Sequence, residues 1–296
     1  MMRVTILGCG YVGRELGRQL VDAGHDVTGV VRTAESAAEV AESDINAVQA
    51  DMTHPEELQA VPDADALVFA ASAGRGSVEQ ARSLYLDGLR TVIAEFRSRE
   101  RPPERLLFTS STGVYGDHGG DWVDEKIPVD PVSPKAGVIA EAEKLVHDSA
   151  LSGTVARFAG LYGPSRYRLR SYLDSVTEGW RNSTHRDDAA GALAWFLTED
   201  CARGETVLVT DGNPVQRWEF ADWLAEQCGE PEPEKLTVEE RLSTGDLSPE
   251  AARRYSTEKR CRNDRLLELG YEPRYDTIYE GYEQAVANYL ASGSGE

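Results

Sequence analysis

The stretch Val4-Thr5-Ile6-Leu7-Gly8-Cys9-Gly10-Tyr11-Val12-Gly13 decides the fold of this chain. Its first four residues form an apolar run, which predicts a buried strand. Its last residues open a run with Val12, Leu16 and Leu20 on one helical face, which ends at Gly24. A strand, a glycine-rich turn and a helix in this order make the fingerprint G-x-G-x-x-G in the context that dinucleotide binding requires.

Each position of this turn has its own predicted task. Gly8 permits the tight turn, Gly10 lets the backbone approach a pyrophosphate, and Gly13 lets the helix pack closely on the strand. The helix N-terminus offers free N–H groups and a partial positive charge to that pyrophosphate. The alternative is an ordinary strand–helix turn with spare glycines. We predict cofactor contacts from five residues of the turn: Gly8, Gly10, Tyr11, Val12 and Gly13.

Length and composition describe a globular chain. A chain of 296 residues can bury a sizeable core, as one large domain or two interlocked ones. No run approaches the length of a membrane span, and the N-terminus lacks the pattern of a signal peptide. The four cysteines show no C-x-x-C or Cys/His spacing, which argues against a metal site or a disulfide framework. We therefore expect a cytoplasmic protein that binds no metal.

The net charge of −20 narrows the choice of partners. Such a field repels nucleic acid and anionic membranes, so we expect neither as a partner. It indicates either a solvated acidic surface or adaptation to high salt, as in the acidic proteome of a halophilic organism, where salt screens the self-repulsion. In both cases local basic groups must attract an anionic cofactor.

The end of the second predicted strand, 26–31, indicates which cofactor that is. An NAD site usually places an acidic residue about twenty residues beyond the glycine turn, where it binds the ribose 2′-hydroxyl. Arg32 and Thr33 stand there instead. Because a guanidinium can pair with a 2′-phosphate, we predict that NADP is favoured over NAD. The alternative for Arg32 is a surface arginine at a strand end.

Two further strand ends are expected beside the cofactor. Asp51 follows a short strand, 47–50, and can either accept a hydrogen bond from the adenine amino group or begin an Asx turn before Pro55. Small residues follow the fourth strand, 66–71, and let a ligand lie against backbone. The predicted cofactor contacts here are Asp51, Met52, Ala70, Ala71 and Ser72.

The order of elements predicts the architecture. A long helix at 77–99 precedes a fifth strand at 105–108, and this alternation indicates an α/β protein with a doubly wound parallel sheet of the Rossmann type. After Pro164 the alternation breaks, which predicts a small, discontinuous C-terminal lobe. We assign 1–164 and 185–211 to the cofactor domain, and 165–184 and 212–296 to the substrate-side lobe. Within that lobe we expect the polar stretch 234–256 to be mobile and the tail 292–296 to be frayed.

The chain resembles the extended short-chain dehydrogenase/reductase family, the NAD(P)-dependent nucleotide-sugar epimerases and dehydratases. The matching pieces span nearly the whole chain: the glycine turn, 110–116, 157–166, 185–188, 211–214 and 269–273. The resemblance implies a nucleotide-sugar or related carbonyl or hydroxyl substrate. It also implies that two copies dimerise through the helices at 77–99 and 135–149.

The catalytic residues depart from the family pattern. The resemblance implies a Ser, a Tyr with a Lys four residues later, and an Asn. Ser111 matches the Ser, but Lys135 stands at the Tyr position, Ile139 at the Lys position and Tyr85 at the Asn position. This is the pattern of atypical members, which keep the NADP fold. Cofactor binding is therefore better supported than epimerisation, and the alternative is a non-catalytic NADP-binding sensor or docking protein.

Four residues are the candidates to carry protons if chemistry occurs. Ser111 can assist at a substrate oxygen, Lys135 can act as a base beside the cofactor, and Tyr115 or Tyr85 can supply a phenol. Each has a structural alternative. Ser111 can bond backbone or cofactor, Lys135 can be a solvated residue at a helix start after Pro134, and Tyr115 can be a packing residue.

Basic residues after Pro164 indicate an anionic small-molecule substrate. The arginines concentrate there in an otherwise acidic chain, and such groups bind phosphate or carboxylate. The alternative is pairing with local carboxylates, and for His185 a structural hydrogen bond. We predict three substrate contacts: Arg166, His185 and Arg186.

Overall fold

The computed structural model describes residues 1–74, 76–245 and 247–292. Strands and helices alternate through the first half, because runs of β-branched and apolar residues are separated by amphipathic segments. The elements are β1 (Arg3–Leu7), α1 (Tyr11–Asp22), β2 (Asp26–Val31), α2 (Ala34–Ala41), β3 (Asn46–Gln49), α3 (Pro55–Leu58), β4 (Ala66–Phe69), α4 (Val78–Arg82), α5 (Leu89–Arg97), β5 (Arg105–Ser111), β6 (Trp122–Val123), α6 (Pro134–His147) and β7 (Ser152–Phe158).

The second half has shorter strands and less regular alternation. Its elements are β8 (Gly160–Tyr162), α7 (Leu169–Asp174), β9 (Ser175–Thr177), β10 (Trp180–Arg181), β11 (Ser183–His185), α8 (Arg186–Thr198), β12 (Thr206–Val209), β13 (Val215–Gln216), α9 (Arg217–Cys228), β14 (Glu234–Leu236), α10 (Val238–Ser243), α11 (Pro249–Tyr255), β15 (Arg260–Cys261), α12 (Asp264–Glu268) and α13 (Ile278–Ser292).

Seven parallel strands form the central sheet in the order β3-β2-β1-β4-β5-β7-β12. The order reverses between β1 and β4, and ligands of open α/β sheets bind at such a switch point. The prediction of a doubly wound, Rossmann-type α/β fold is confirmed. The late strand β12 also returns to this sheet as expected, with Val207 opposite Ala156 of β7.

Apolar side chains cover both faces of the sheet. On one face α1 and α8 pack through residues such as Leu16 and Phe196. On the other face α5 and α6 contribute residues such as Phe96 and Val146. Because both faces are covered, the strands are nearly continuous apolar runs, as in other parallel sheets. This rigid platform holds the strand ends in place.

The predicted helix 77–99 is interrupted. It is built from α4, a π-helical segment (Ser83–Gly88) and α5. The wider segment places Tyr85 toward the ends of the strands, and π-helical turns are frequent at functional sites. Among the helices of the described ranges, none combines the length and apolar content that crossing a bilayer requires.

A separate aromatic core holds the C-terminal lobe together. Tyr162 stacks on Tyr282 with ring centroids 5.2 Å apart, and Phe220 meets the edge of Tyr282 at 5.0 Å. Helices α7, α9 and α13 supply the rest of this cluster. The assignment of residues to the two units stays a prediction.

The polar stretch 234–256 contains regular elements among its described residues, and its mobility stays a prediction. β14 pairs with β9, and α10 begins with a capping box in which Thr237 and Glu240 bond each other's backbone N–H groups. The capping box satisfies N–H groups at the start of α10, a helix with no buried residue. The polar composition of the stretch therefore did not indicate this helix. Of the tail predicted to fray, residues 293–296 lie outside the described residues.

Candidate functional site

A cleft of about 1000 Å³ runs along the carboxyl ends of the central strands. The loops after β1, β2, β4 and β5 line it, at the switch point of the sheet. Most of the residues predicted to contact the cofactor line this cleft: Gly8, Gly10, Tyr11, Val12, Arg32, Asp51, Met52, Ala70, Ala71 and Ser72.

Close packing requires two of the three glycines. Gly8 has a φ of +86°, and a Cβ built there would lie 2.3 Å from the Cα of Ala71. A Cβ on Gly13 would lie 3.0 Å from the carbonyl oxygen of Gly8 and 3.0 Å from Cγ2 of Ile6. Gly8 therefore lets the turn touch the end of β4, and Gly13 lets α1 lie directly on β1.

Gly10 is different, because a Cβ there would meet no protein atom within 4 Å. It lines the cleft and precedes α1, which has no side-chain cap and no acidic residue in its first turn. The first N–H groups of the helix therefore remain available to an anion. Open space at Gly10 beside an uncapped helix N-terminus fits a dinucleotide pyrophosphate.

Two of the predicted cofactor contacts at the β2–β3 end of the cleft are charged: Arg32 and Asp51. Arg32 is exposed, and its guanidinium makes no hydrogen bond or salt bridge within the described ranges. Partial burial raises the pKa of Asp51, but hydrogen bonds from the Thr53 hydroxyl (2.7 Å) and N–H (2.9 Å) outweigh it and lower that pKa. The Asx turn therefore forms, and the carboxylate still borders the cleft.

Thr33 has a structural role. Its hydroxyl accepts a hydrogen bond from the N–H of Ser36 at 3.2 Å and so caps α2. It is absent from the residues that line the cleft. The prediction that Thr33 contacts the cofactor is not supported by this position, because the cap holds its side chain at the start of α2.

Three candidate proton carriers line the β5 end of the cleft: Ser111, Lys135 and Tyr85. The Ser111 hydroxyl accepts a hydrogen bond from the N–H of Gly113 at 3.1 Å. The Tyr85 hydroxyl accepts one from the N–H of Ala73 at 3.2 Å. Neither hydroxyl proton has an acceptor in the part of the chain that the structure describes. Both hydroxyls can therefore donate a proton to a ligand.

Tyr115 lies outside the cleft, which contradicts the prediction that it carries a proton there. It is completely buried, its hydroxyl donates to the carbonyl oxygen of Asp124 at 2.8 Å, and it accepts from Nη1 of Arg157 at 2.7 Å. Burial raises the pKa of Tyr115 above its ordinary value, although the guanidinium of Arg157 opposes this. The packing alternative describes this residue.

Of the three predicted substrate contacts, Arg166 lines the cleft and the other two do not. Arg166 lines the cleft and lies 3.9 Å over the ring of Tyr11, whose pKa burial raises to about 12. Arg186 instead pairs with Asp187 at 2.8 Å. The structure therefore supports the position predicted for Arg166 and contradicts the one predicted for Arg186, which bonds a local carboxylate.

His185 is also structural. It is 2% exposed, and its Nδ1 accepts the N–H of Asp187 at 3.2 Å, which caps α8. Burial lowers its pKa to about 4, so the ring is neutral at pH 7. It does not line the cleft, and the predicted substrate contact is wrong, because the side chain is enclosed between the sheet and the lobe.

Four lining residues from the C-terminal lobe were not predicted: Arg253, Arg254, Thr257 and Lys259. Lys259 donates from Nζ to the carbonyl oxygen of Gly116 at 2.8 Å, which ties this segment to the loop after β5. A cluster of basic residues in an acidic chain was the sequence feature that could have indicated them. Within the described ranges no group of three His, Cys, Asp or Glu side chains is placed to hold a metal ion.

Comparison with known proteins agrees with this geometry. The family model for NAD(P)H-binding proteins matches residues 8–200. The chain belongs to this NAD(P)H-binding family. Protein YeeZ of Escherichia coli K12 is 33% identical over 209 residues, which cover 67% of this chain and 73% of YeeZ.

Two further proteins are similar over nearly the whole chain. The 3-diazoavenalumate denitrifying reductase of a Streptomyces species is 28% identical over 306 residues, covering 95% of this chain and 99% of the reductase. The human epimerase family protein SDR39U1, whose crystal structure contains NADPH, superposes with a TM-score of 0.81. It is 17% identical and covers 97% of this chain and 100% of its own, so it shows the fold alone. The expected resemblance to the epimerase/dehydratase fold is confirmed.

Proposed function

We propose that this protein is an NADP(H)-dependent oxidoreductase that acts on a small carbonyl or hydroxyl substrate. One observation carries the proposal: the glycine turn and the hydroxyl groups of Ser111 and Tyr85 border the same cleft. The Streptomyces relative, which matches this chain from end to end, is named as a reductase. Its name supports the same reaction class here.

The residues present would hold the cofactor in two places. The backbone at Gly10 and the N-terminus of α1 would bind the pyrophosphate, and Arg32 would pair with a 2′-phosphate. The absence of a carboxylate at the end of β2 favours NADP over NAD, because there is no acceptor for the ribose 2′-hydroxyl at that position. When bound, the nicotinamide supplies or accepts a hydride.

The chain's own residues would supply the proton. Reduction of a carbonyl needs one proton at the carbonyl oxygen, and oxidation of an alcohol returns it. Because the Tyr85 and Ser111 oxygens already accept backbone N–H bonds, their own protons are available to a ligand in the cleft. Lys135, in the first turn of α6, lines the same part of the cleft.

The alternative is a non-catalytic NADP-binding protein that senses the cofactor or docks a partner. The observation that favours it is the presence of Lys135 and Ile139 where the resemblance implies Tyr and Lys. Such a protein would bind NADPH but transfer no hydride from it to any carbonyl compound.

Calorimetric titration with NADPH and NADH at high salt tests the cofactor assignment. We expect Arg32→Ala to weaken NADPH binding by at least about tenfold and to leave NADH unchanged, because only NADPH presents a 2′-phosphate. Arg101→Ala is the matched control, since Arg101 is exposed and does not line the cleft. If the wild-type protein binds neither nucleotide, the proposed NADP(H)-dependent enzyme activity is excluded.

We further propose a cytoplasmic, salt-adapted homodimer that pairs through α4, α5 and α6. The charge of −20 and the resemblance support this assignment. Sedimentation in high salt measures the mass in solution, and a species of 32.4 kDa at all concentrations would exclude the dimer.

A further inference from the structure

The residues that line the cleft are mostly basic, although acidic residues outnumber basic ones in the chain. The full sequence has 31 Lys and Arg against 51 Asp and Glu. Among the described residues that line the cleft, seven are basic and two are acidic. The basic ones are Arg14, Arg32, Lys135, Arg166, Arg253, Arg254 and Lys259, and the acidic ones are Glu39 and Asp51. Positive charge therefore collects in this cleft against the composition.

The two acids belong to the end where Arg32 lies. Glu39 is on α2 and pairs with Arg14 at 2.7 Å, and Asp51 follows β3. The opposite end begins at β5, which is three strand positions from β2, roughly 14 Å across the sheet. No described carboxylate lines the cleft there. The basic residues at the β5 end are thus separate from the group expected to meet the 2′-phosphate.

Residues 253–259 are anchored at the β5 end. Besides the bond from Lys259 to Gly116, the N–H of His118 donates to the carbonyl oxygen of Glu258 at 2.8 Å. The Oδ1 of the nearby Asp117 accepts the N–H of Glu258 at 2.7 Å, and the charge of this carboxylate also attracts Lys259. The segment therefore holds its cations over the loop that follows Ser111.

The cations of this segment have unused donors. Nε of Arg253 is buried and has no hydrogen-bond partner in the described ranges. Arg254 makes no hydrogen bond or salt bridge there, and Lys259 uses one of its three N–H groups. Burial lowers the pKa of Lys259, which shows that its charge is costly where it stands. An oxyanion would compensate all three, because charged hydrogen bonds are the stronger kind.

Resting on the proposed function, we propose that Arg253, Arg254 and Lys259 bind the carboxylate or phosphate group of a small substrate whose carbonyl lies at Ser111. The cleft, at about 1000 Å³, is at the upper end of single-ligand pockets of ~300–1,000 Å³. A dinucleotide held at the glycine turn would share this volume, which favours a small organic anion over a nucleotide sugar as the second ligand.

Calorimetry with four probe compounds tests this site on cofactor-free and on NADPH-saturated protein. The probes are 4-oxopentanoate for carboxylate, dihydroxyacetone phosphate for phosphate, 2-pentanone as the neutral match, and UDP for a nucleoside diphosphate. We expect one of the two small anions to bind to the NADPH-saturated protein and 2-pentanone not to bind. The stronger of the two small anions identifies the group.

Arg254→Ala should weaken that binding at least about tenfold, because it removes a charge-assisted hydrogen bond. Arg254→Glu should weaken it more, because the new carboxylate also repels the anion. Arg254 is exposed, so neither change removes packing. Arg170→Ala, an exposed position on α7 outside the cleft, should change nothing.

The outcomes separate this site from the cofactor assignment. If NADPH binds but neither small anion does, or if Arg254→Ala and Arg170→Ala behave alike, the site is overturned while the cofactor assignment stands. UDP binding more tightly than both small anions would overturn the size argument. If a small anion binds through Arg254 but NADPH does not bind, the site stands and the proposed oxidoreductase fails.

Discussion

Tyr85 and Tyr115 have the same side chain in opposite surroundings. Tyr85 borders the cleft with a hydroxyl proton that has no acceptor in the described residues, whereas Tyr115 has both its donor and its acceptor capacity used by Asp124 and Arg157. A phenol can act as a general acid only if a ligand can reach it. Access from the cleft and a free hydroxyl proton therefore make Tyr85, and not Tyr115, the candidate general acid.

Tyr85→Phe should lower the rate of NADPH-dependent reduction of the small carbonyl anion that binds most tightly by about ten- to a hundredfold, because general acid catalysis contributes about 10²–10⁴-fold and Ser111 remains. NADPH affinity should be unchanged. The rate is followed through NADPH absorbance over a range of pH.

Tyr115→Phe is the matched control. It deletes a buried hydroxyl with two partners, so it should cost about 1–3 kcal/mol of stability and leave the rate of the folded enzyme intact. Equal rates in Tyr85→Phe and the wild-type protein would remove Tyr85 from the proposed chemistry.

At the scale of elements, a buried ion pair fixes α6, which carries Lys135, against the sheet. Glu143 of α6 and Arg157 of β7 are both nearly inaccessible, with Nη2 and Oε2 2.6 Å apart. The hydroxyl of Ser110, next to Ser111 on β5, donates to the same carboxylate at 2.5 Å. One carboxylate thus joins α6, β5 and β7 beneath the cleft.

Glu143→Ala should destabilise the protein by about 3–5 kcal/mol, because it leaves the Arg157 charge buried without compensation. The matched control lies two residues earlier on the same helix. Glu141 pairs with Arg82 at 3.4 Å, with both side chains about half exposed, so Glu141→Ala should cost less than about 1 kcal/mol. Urea unfolding measures both variants, and a similar small cost for the two would contradict this account of α6.

Some helices and strands could be predicted from the sequence, and others could not. Strands and helices of the sheet follow local periodicity, so their positions were predictable to within a few residues. The π-helical turn and α10 were not, because the first depends on packing against the sheet and the second on capping bonds. The cofactor turn was predictable for a local reason, since Gly8 adopts a positive φ that favours glycine.

On the scale of the whole molecule, Asp211 lies where the main sheet meets the lobe. It is 7% exposed, its Oδ1 accepts the N–H of Asn213 at 3.2 Å, and its Oδ2 has no partner in the described residues. Burial raises its pKa to about 7, and it raises that of Asp188 to about 6. The folded protein therefore holds protons on these carboxyls at pH values where the unfolded chain has released them.

Each of these two carboxyls should make the free energy of unfolding fall as pH rises from about 4 toward its folded pKa, because the folded state keeps a proton that the unfolded state has released. His185, whose pKa burial lowers to about 4, opposes them below its ordinary pKa of 6.5, because only the unfolded chain is protonated there. Asp211→Asn should flatten the fall, by up to a few kcal/mol at about 1.4 kcal/mol per pKa unit, and Asp188 should retain part of it. Denaturant unfolding at several pH values measures the slope, and identical slopes in wild type and variant would disprove the assignment.

The sequence by itself determined the sheet, the glycine turn and the class of cofactor, because each rests on residues that are neighbours along the chain. Only the tertiary structure decided which distant side chains reach the cleft. It brings Lys259 to Gly116 across 143 positions, encloses His185 between sheet and lobe, and buries Tyr115 against Arg157. Such contacts depend on how the lobe packs on the sheet, and no local pattern of residues specifies that packing.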